Sequence, residues 1–390
     1  MKPTHTGNHI NNQTGWLAVL LLSLTFSIQL VSGVHYVTIP VLMEQQGFGN
    51  LAIGFAIASE IIGLLLFHRR LHQLTRWAGL CWTLFILLSC RLLLGALMSQ
   101  WQHYLSWWLG IFGYGLCTGM LLVLMQTWLS LLANRHRGLL MGLFSAALSL
   151  GVACGPLFVT LTGVGLSERF VLAASLNLLL LLLLPWCAQQ QALTASSETR
   201  LPFVFRHARP VLVSAFIGGI AFYGLPNFLT LYGQHNGFAA TEAVWLMSTF
   251  MLGSVTLGML ISLASDWLCR QRVILCCIFV AVVCGVFLSL AVYSSAWATY
   301  SLLYCWGGSM GAIYSIGLSI IGDRFHRSQQ LPANLSYNMM DATGGIAGLL
   351  LIGAMMDLLG PEGLPLVLTV SGCLFLIYLS WELLHGRRFD

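Results

Sequence analysis

Among the ionisable side chains inside the long apolar runs of this 390-residue chain are His35, Glu60, Arg91 and Asp341. A charge kept in hydrocarbon is costly and usually pairs, moves a proton or meets a substrate. Glu60 lies nine residues into the run 51–67, and Arg91 lies seven from the end of the run 77–98. At 1.5 Å per residue both sit ~10–15 Å below the same boundary. Equal depth on consecutive helices permits an ion pair, which could be a static brace or part of a coupling device. Without a partner, Glu60 would readily hold a proton, because burial disfavours its charged form.

Further polar groups gather in the same runs. Asn334, Asn338 and Asp341 recur at i, i+4 and i+7, so they share one helix face. Asp341 would lie ~10 Å from the opposite boundary to that of Glu60. Gln29, Ser32 and Tyr36 share another face, with His35 beside them as a titrating candidate or a hydrogen-bonded packing residue. Gln126, Tyr223, Asn227 and Tyr314 add hydrogen-bonding groups to further runs.

The elements that carry these residues follow from composition. Hydrophobic residues make up 58% and charged residues 7%, too few charges to cover a water-soluble fold, whose share is about 25%. The expected fold class is therefore an all-α membrane protein. Runs near the ~20 residues needed to span a bilayer fall at 16–40, 51–67, 77–98, 104–132, 139–162, 169–187, 210–232, 243–265, 273–293, 297–321, 334–358 and 364–384. Residues 1–15 form a polar tail before a retained first span, 188–209 a polar central loop, and 385–390 a second tail. All but two of the seventeen Lys and Arg, the exceptions being Arg91 and Arg169, then fall on the side of the two termini. That bias predicts cytoplasmic termini. Trp16, Trp101, Trp107, Trp297 and Trp381 sit where an aromatic belt is expected.

The run of six spans, loop and six spans is also a repeat. Gly33 precedes Pro40 by seven residues, as Gly219 precedes Pro226; Gly47-Phe48 is echoed by Gly237-Phe238. Gly115 and Gly119 with Arg135 are echoed by Gly307 and Gly311 with Arg327, at equal offsets. Parallel repeats with a site between them are a transporter architecture.

On these residues the chain resembles the major facilitator superfamily along essentially its whole length. Gly142, Gly151, Gly155 and Pro156 in span five resemble the family's antiporter motif, although Val159 and Thr160 replace its last glycines; close helix packing would favour the same small residues. Asp266 and Arg270 resemble the charged part of its inner-gate motif, while the corresponding stretch His68–Arg76 has lost its acid. Trp107 and Trp108 occupy the neighbourhood in which drug-efflux members often carry an arginine. The resemblance implies two pseudo-symmetric six-helix bundles, residues 16–187 and 210–384, with spans one, four, seven and ten lining a central cavity.

The function so implied is proton-coupled efflux of a small organic molecule such as a secreted metabolite, a siderophore or a drug. Glu60, Asp341 and His35 are the proton candidates and Arg91 the partner of Glu60. A proton symporter importing a sugar, nucleoside or carboxylate is the alternative, and a membrane receptor or assembly factor the third reading. No phosphate-binding loop, catalytic triad or metal-ligand spacing appears. The expected energy source is therefore a proton gradient without a cofactor, in a monomer of the bacterial inner membrane. Scattered basic clusters argue against a nucleic-acid partner.

Overall fold

The computed structural model describes residues 6–98, 100–101, 103–132, 137–183, 209–325 and 327–384. In lipid, each backbone N–H and C=O must be satisfied inside its own segment, so the apolar runs become helices. Among the described residues there are twelve long ones: α1 (Thr6–Gln45), α2 (Asn50–Ala78), α3 (Leu80–Met98), α4 (Tyr104–Leu132), α5 (Arg137–Thr162), α6 (Leu166–Leu183), α7 (Arg209–His235), α8 (Ala240–Ala264), α9 (Arg270–Ser294), α10 (Ala296–Arg324), α11 (Arg327–Leu359) and α12 (Gly363–Leu384). Each expected span falls on one of them. Seven stretches are long and apolar enough to cross a membrane by length and composition alone; the apolar parts of α2 and α3 are shorter, Asn50–Gly63 and Trp82–Met98. Residues 188–208 of the expected central loop and the tail residues 1–5 and 385–390 lie outside the described residues, while 6–15 and Arg209 belong to α1 and α7.

The helices pack as two copies of one arrangement. In the first six, α1 lies on α5 and α6, α4 on α2 and α3, and α3 on α6. In the second six, α7 lies on α11 and α12, α10 on α8 and α9, and α9 on α12. Between the bundles the exchange is also symmetric: α2 meets α11, and α5 meets α8.

Glycines at matching places make these approaches possible. A Cβ on Gly33 of α1 would stand 2.4 Å from the Val152 carbonyl oxygen of α5, and one on Gly219 of α7 would stand 2.0 Å from that of Asp341 on α11. The turns repeat as well. Gly47 (φ 86°) and Gly237 (φ 87°) end α1 and α7 in the left-handed conformation that a glycine adopts freely. Phe48 and Phe238 then donate their N–H back to Met43 (3.2 Å) and Gly233 (3.0 Å).

Polar contacts joining the bundles sit at the end where α1 finishes and α2 starts. There Glu44 meets His235 at 2.5 Å. Asp357 of α11 accepts hydrogen bonds from the backbone N–H of Asn50 (2.7 Å) and Leu51 (2.9 Å) at the amino end of α2. Deeper in, the Ser248 hydroxyl of α8 donates to the Ala153 carbonyl of α5 (3.0 Å).

The aromatic belt needs one correction. Trp16, Trp297 and Trp381 are exposed, whereas Trp107 is fully buried. It donates to Gln46 Oε1 (2.8 Å) and packs edge-on against Trp101, so it belongs to the helix core.

Candidate functional site

Ser32, His35 and Tyr36 of α1, Glu60 of α2, Tyr114 of α4 and Asn227 of α7 line one small cavity. Five of these six were candidates from the sequence, and Asn227 comes from the opposite bundle. Glu60 reaches the wall because Gly115 of α4 has no side chain: a Cβ there would stand 2.3 Å from Glu60 Cγ. His35 is buried between Tyr114 (ring centroids 4.5 Å apart) and Phe170 (5.4 Å). Neither of its ring nitrogens has a hydrogen-bond partner. Asn227 donates through Nδ2 to the Tyr223 carbonyl (2.8 Å), which leaves its amide oxygen as an acceptor.

Arg91 is fully buried behind this wall. Its Nη2 donates to the Ile28 carbonyl (2.6 Å) and the Ser32 hydroxyl (3.1 Å), its Nε to the Thr118 hydroxyl (3.1 Å), and its guanidinium lies 4.7 Å from the Tyr114 ring centroid. The ion pairs among the described residues are His235–Glu44, Arg270–Asp266 and Arg270–Asp323. Glu60 and Arg91 are not among these pairs, although Arg91 lies within electrostatic reach of Glu60. Depth was not enough: α1 and α4 offer Arg91 a carbonyl and two hydroxyls, and the fork turns toward those.

A second polar group belongs to the other bundle. Asp341 is buried on α11, beside Tyr223 of α7, Tyr314 of α10 and Tyr337. Tyr314 donates to Asn338 Oδ1 (3.2 Å), and its ring meets Tyr337 edge-on at 5.6 Å. Tyr223 is also within electrostatic reach of Tyr36 and Glu60.

The pseudo-symmetry shows which of these groups the packing itself does not need. Gly307 repeats the Gly115 contact in the second bundle, but its Cβ would meet the Phe250 carbonyl oxygen at 1.8 Å. Phe250 therefore occupies the place that Glu60 has in the first bundle. By the Gly33 and Gly219 contacts, Val152 is likewise the counterpart of Asp341. The Arg91 cluster, set among α1, α3 and α4, has its counterpart in a mostly apolar space lined by Ala221, Ala281, Trp306, Met310 and Phe375. Each charged group thus breaks a symmetry that the glycines keep.

A family model for the Major Facilitator Superfamily matches residues 21–349 and 211–387. The chain belongs to the major facilitator superfamily. It is also 21% identical over 342 residues to the uncharacterized MFS-type transporter YfkF of Bacillus subtilis, covering 85% of this chain and 86% of that protein. Among solved structures it is similar to a mutant form of the nucleoside transporter NupG, with a TM-score of 0.80 and 13% identity over 93% of this chain and 99% of that one. A bacterial homologue of the human lysosomal transporter Spinster, inward-facing and occupied, gives a TM-score of 0.78 and 11% identity over 96% and 97% of the two chains. At these identities the likeness is one of fold.

For a major facilitator the motif residues have definite places. Gly151 and Gly155 hold α5 against α1: a Cβ on either would stand 2.5 Å from backbone atoms of Phe26 or Gly33. Pro156 lies inside α5, as does Gly142. Gly344 and Gly348 of α11 make the same approach to Phe216 and Ile220 of α7, although α11 carries no such motif. Arg270 pairs with Asp266 at 3.4 Å and also with Asp323 of α10, a partner the sequence reading missed.

Gln29 and Gln126 do not join the cavity lining. The β-carbon of Gln29 lies against Gly151, and Gln126 is exposed near the end of α4. Sequence reasoning also missed Tyr114, Tyr337 and Asp357. Tyr114 had a usable signal, since it immediately precedes the repeat glycine Gly115 and shares a helix face with Thr118.

Proposed function

We infer that this major facilitator is a secondary transporter that exports a small organic molecule in exchange for protons. The observation that carries this reading is the pair of carboxylates, Glu60 and Asp341, one in each bundle at positions where the partner bundle has Phe250 and Val152. A buried carboxyl is most easily neutral, and it becomes so either by taking a proton or by meeting a donor-rich cargo. Proton and cargo then exclude one another, and mutual exclusion at one site makes an exchanger. With the proton gradient directed inward, exchange means export.

Alternating access follows from the helix contacts. The Lys/Arg bias of the sequence assigns the end of Glu44, Asn50 and Asp357 to the outside. The bundles are tied there in this conformation. Rocking about the α2–α11 and α5–α8 contacts would break the Asp357 cap and expose the carboxylates outward. The span-five glycines do not decide direction, because α11 uses glycines identically without the motif.

Untargeted metabolite profiling of cytosol and medium, comparing a strain without the gene with an overproducer, tests the reading. A compound retained inside the first and released by the second supports export. Protein-dependent depletion from the medium would select the symport reading instead.

A further inference from the structure

The chemistry of the cavity points to a class of cargo. Its wall offers hydrogen-bond acceptors: the Glu60 carboxylate, the Asn227 amide oxygen and the imidazole of His35. Asp341 adds a second carboxylate beside Tyr223. No Lys or Arg lines the cavity among the described residues. Arg91 is fully buried behind it, its guanidinium turned to Ile28, Ser32 and Thr118. Buried polar atoms nearly always have partners. His35 is 2% exposed, borders the cavity, and has both ring nitrogens unpartnered. A neutral imidazole offers one acceptor and one donor, so a ligand with N–H groups would complete it.

We propose that the site takes an organic cation bearing N–H donors, a protonated amine or amidine on an apolar or aromatic body, held by Glu60 and the His35 imidazole on one side and Asp341 on the other. The inference rests on the transporter reading above and deepens it. An anion would enter against two carboxylates in a low-dielectric site, where like charges repel strongly. A neutral polyol would leave Asp341 without a counter-charge, whereas Glu60 has Arg91 within electrostatic reach. The ring of Tyr36 in the cavity wall suits the charge of an aromatic amine.

The test uses the purified full-length protein in detergent at one fixed pH. The probes are three ligands of one skeleton: 2-phenylethylamine, 2-phenylethanol and 3-phenylpropanoate. Binding is read by calorimetry and by the shift in melting temperature. The amine should bind about tenfold or more tighter than the other two. That preference should vanish in Glu60→Gln and in Asp341→Asn, persist in Glu60→Asp, and be unaltered in Glu168→Gln, whose exposed side chain accepts from Gly165 N–H at the start of α6. Equal or tighter binding of the alcohol or the acid would overturn the proposal. So would no binding by the whole series, or an amine preference that survives Glu60→Gln. Selective amine binding without proton-linked flux in liposomes would leave the cargo assignment standing and refute the exchanger reading.

Discussion

Asp357 on α11 caps the amino end of α2 across the bundle interface, accepting from the backbone N–H of Asn50 at 2.7 Å and of Leu51 at 2.9 Å. A helix N-terminus presents unsatisfied donors and a partial positive charge, which a carboxylate complements. Here the cap comes from the other half of the molecule, so it can form in one conformation and break in the other. Asp357→Ala should weaken the tied state by about 1–2 kcal/mol. Spin labels on the exposed positions Leu51 and Leu358 should report a larger share of separated bundles in the variant. An unchanged distance distribution would show that the cap does not set the equilibrium.

Arg91 should be a stability residue as well as a neighbour of the cavity. Its fork joins α1, α3 and α4 and is fully buried. Removing it leaves polar groups orphaned, and Arg91→Gln should cost about 3 kcal/mol or more. Arg91→Lys should rescue little, because an ammonium cannot reproduce the fork. Arg270→Gln breaks exposed pairs with Asp266 and Asp323, and should cost about 0–1 kcal/mol. Thermal melting of the three variants in detergent gives the comparison, and equal losses for Arg91→Gln and Arg270→Gln would contradict it.

The span-five glycines should behave as packing residues. An alanine at Gly155 would drive its Cβ to 2.5 Å from Gly33, and one at Gly344 to 1.9 Å from the Phe216 carbonyl oxygen. Both substitutions should lower the melting temperature and transport together. A Gly155→Ala protein of normal stability but altered exchange would instead assign that motif a part in coupling.

Glu60→Gln should abolish flux driven by a pH gradient. If Glu60→Gln and Arg91→Gln each leave transport untouched in a folded protein, neither residue belongs to the mechanism.

Much of the architecture was legible in the sequence. Twelve apolar runs became α1 to α12, because in lipid a run of that length has one low-energy backbone. The repeat was legible for a different reason: Gly33 and Gly219, or Gly47 and Gly237, answer to steric demands that glycine alone meets. The candidate site was legible in part. Ser32, His35, Tyr36, Glu60 and Asn227 do converge, since each is a polar group that an apolar helix would otherwise exclude. The hydrogen-bond partners of Arg91 were not legible. Sequence fixes depth along a helix, but rotation about its axis depends on neighbours, and α1 and α4 supplied Ile28, Ser32 and Thr118. Asp357 and Asp323 were missed because a carboxylate at a helix end has no periodic signature; its meaning lies in the α2 or α9 terminus brought to it by packing.

The account stands or falls on proton–cargo exchange at the two carboxylates. The decisive measurement is proton flux in liposomes containing the purified protein, with the exported compound identified by profiling added on one side and a pH-sensitive dye trapped inside. The predicted result is cargo-dependent proton movement opposite to the cargo, lost in Glu60→Gln and in Asp341→Asn. Cargo crossing without protons, or protons moving in the same direction as cargo, would contradict it.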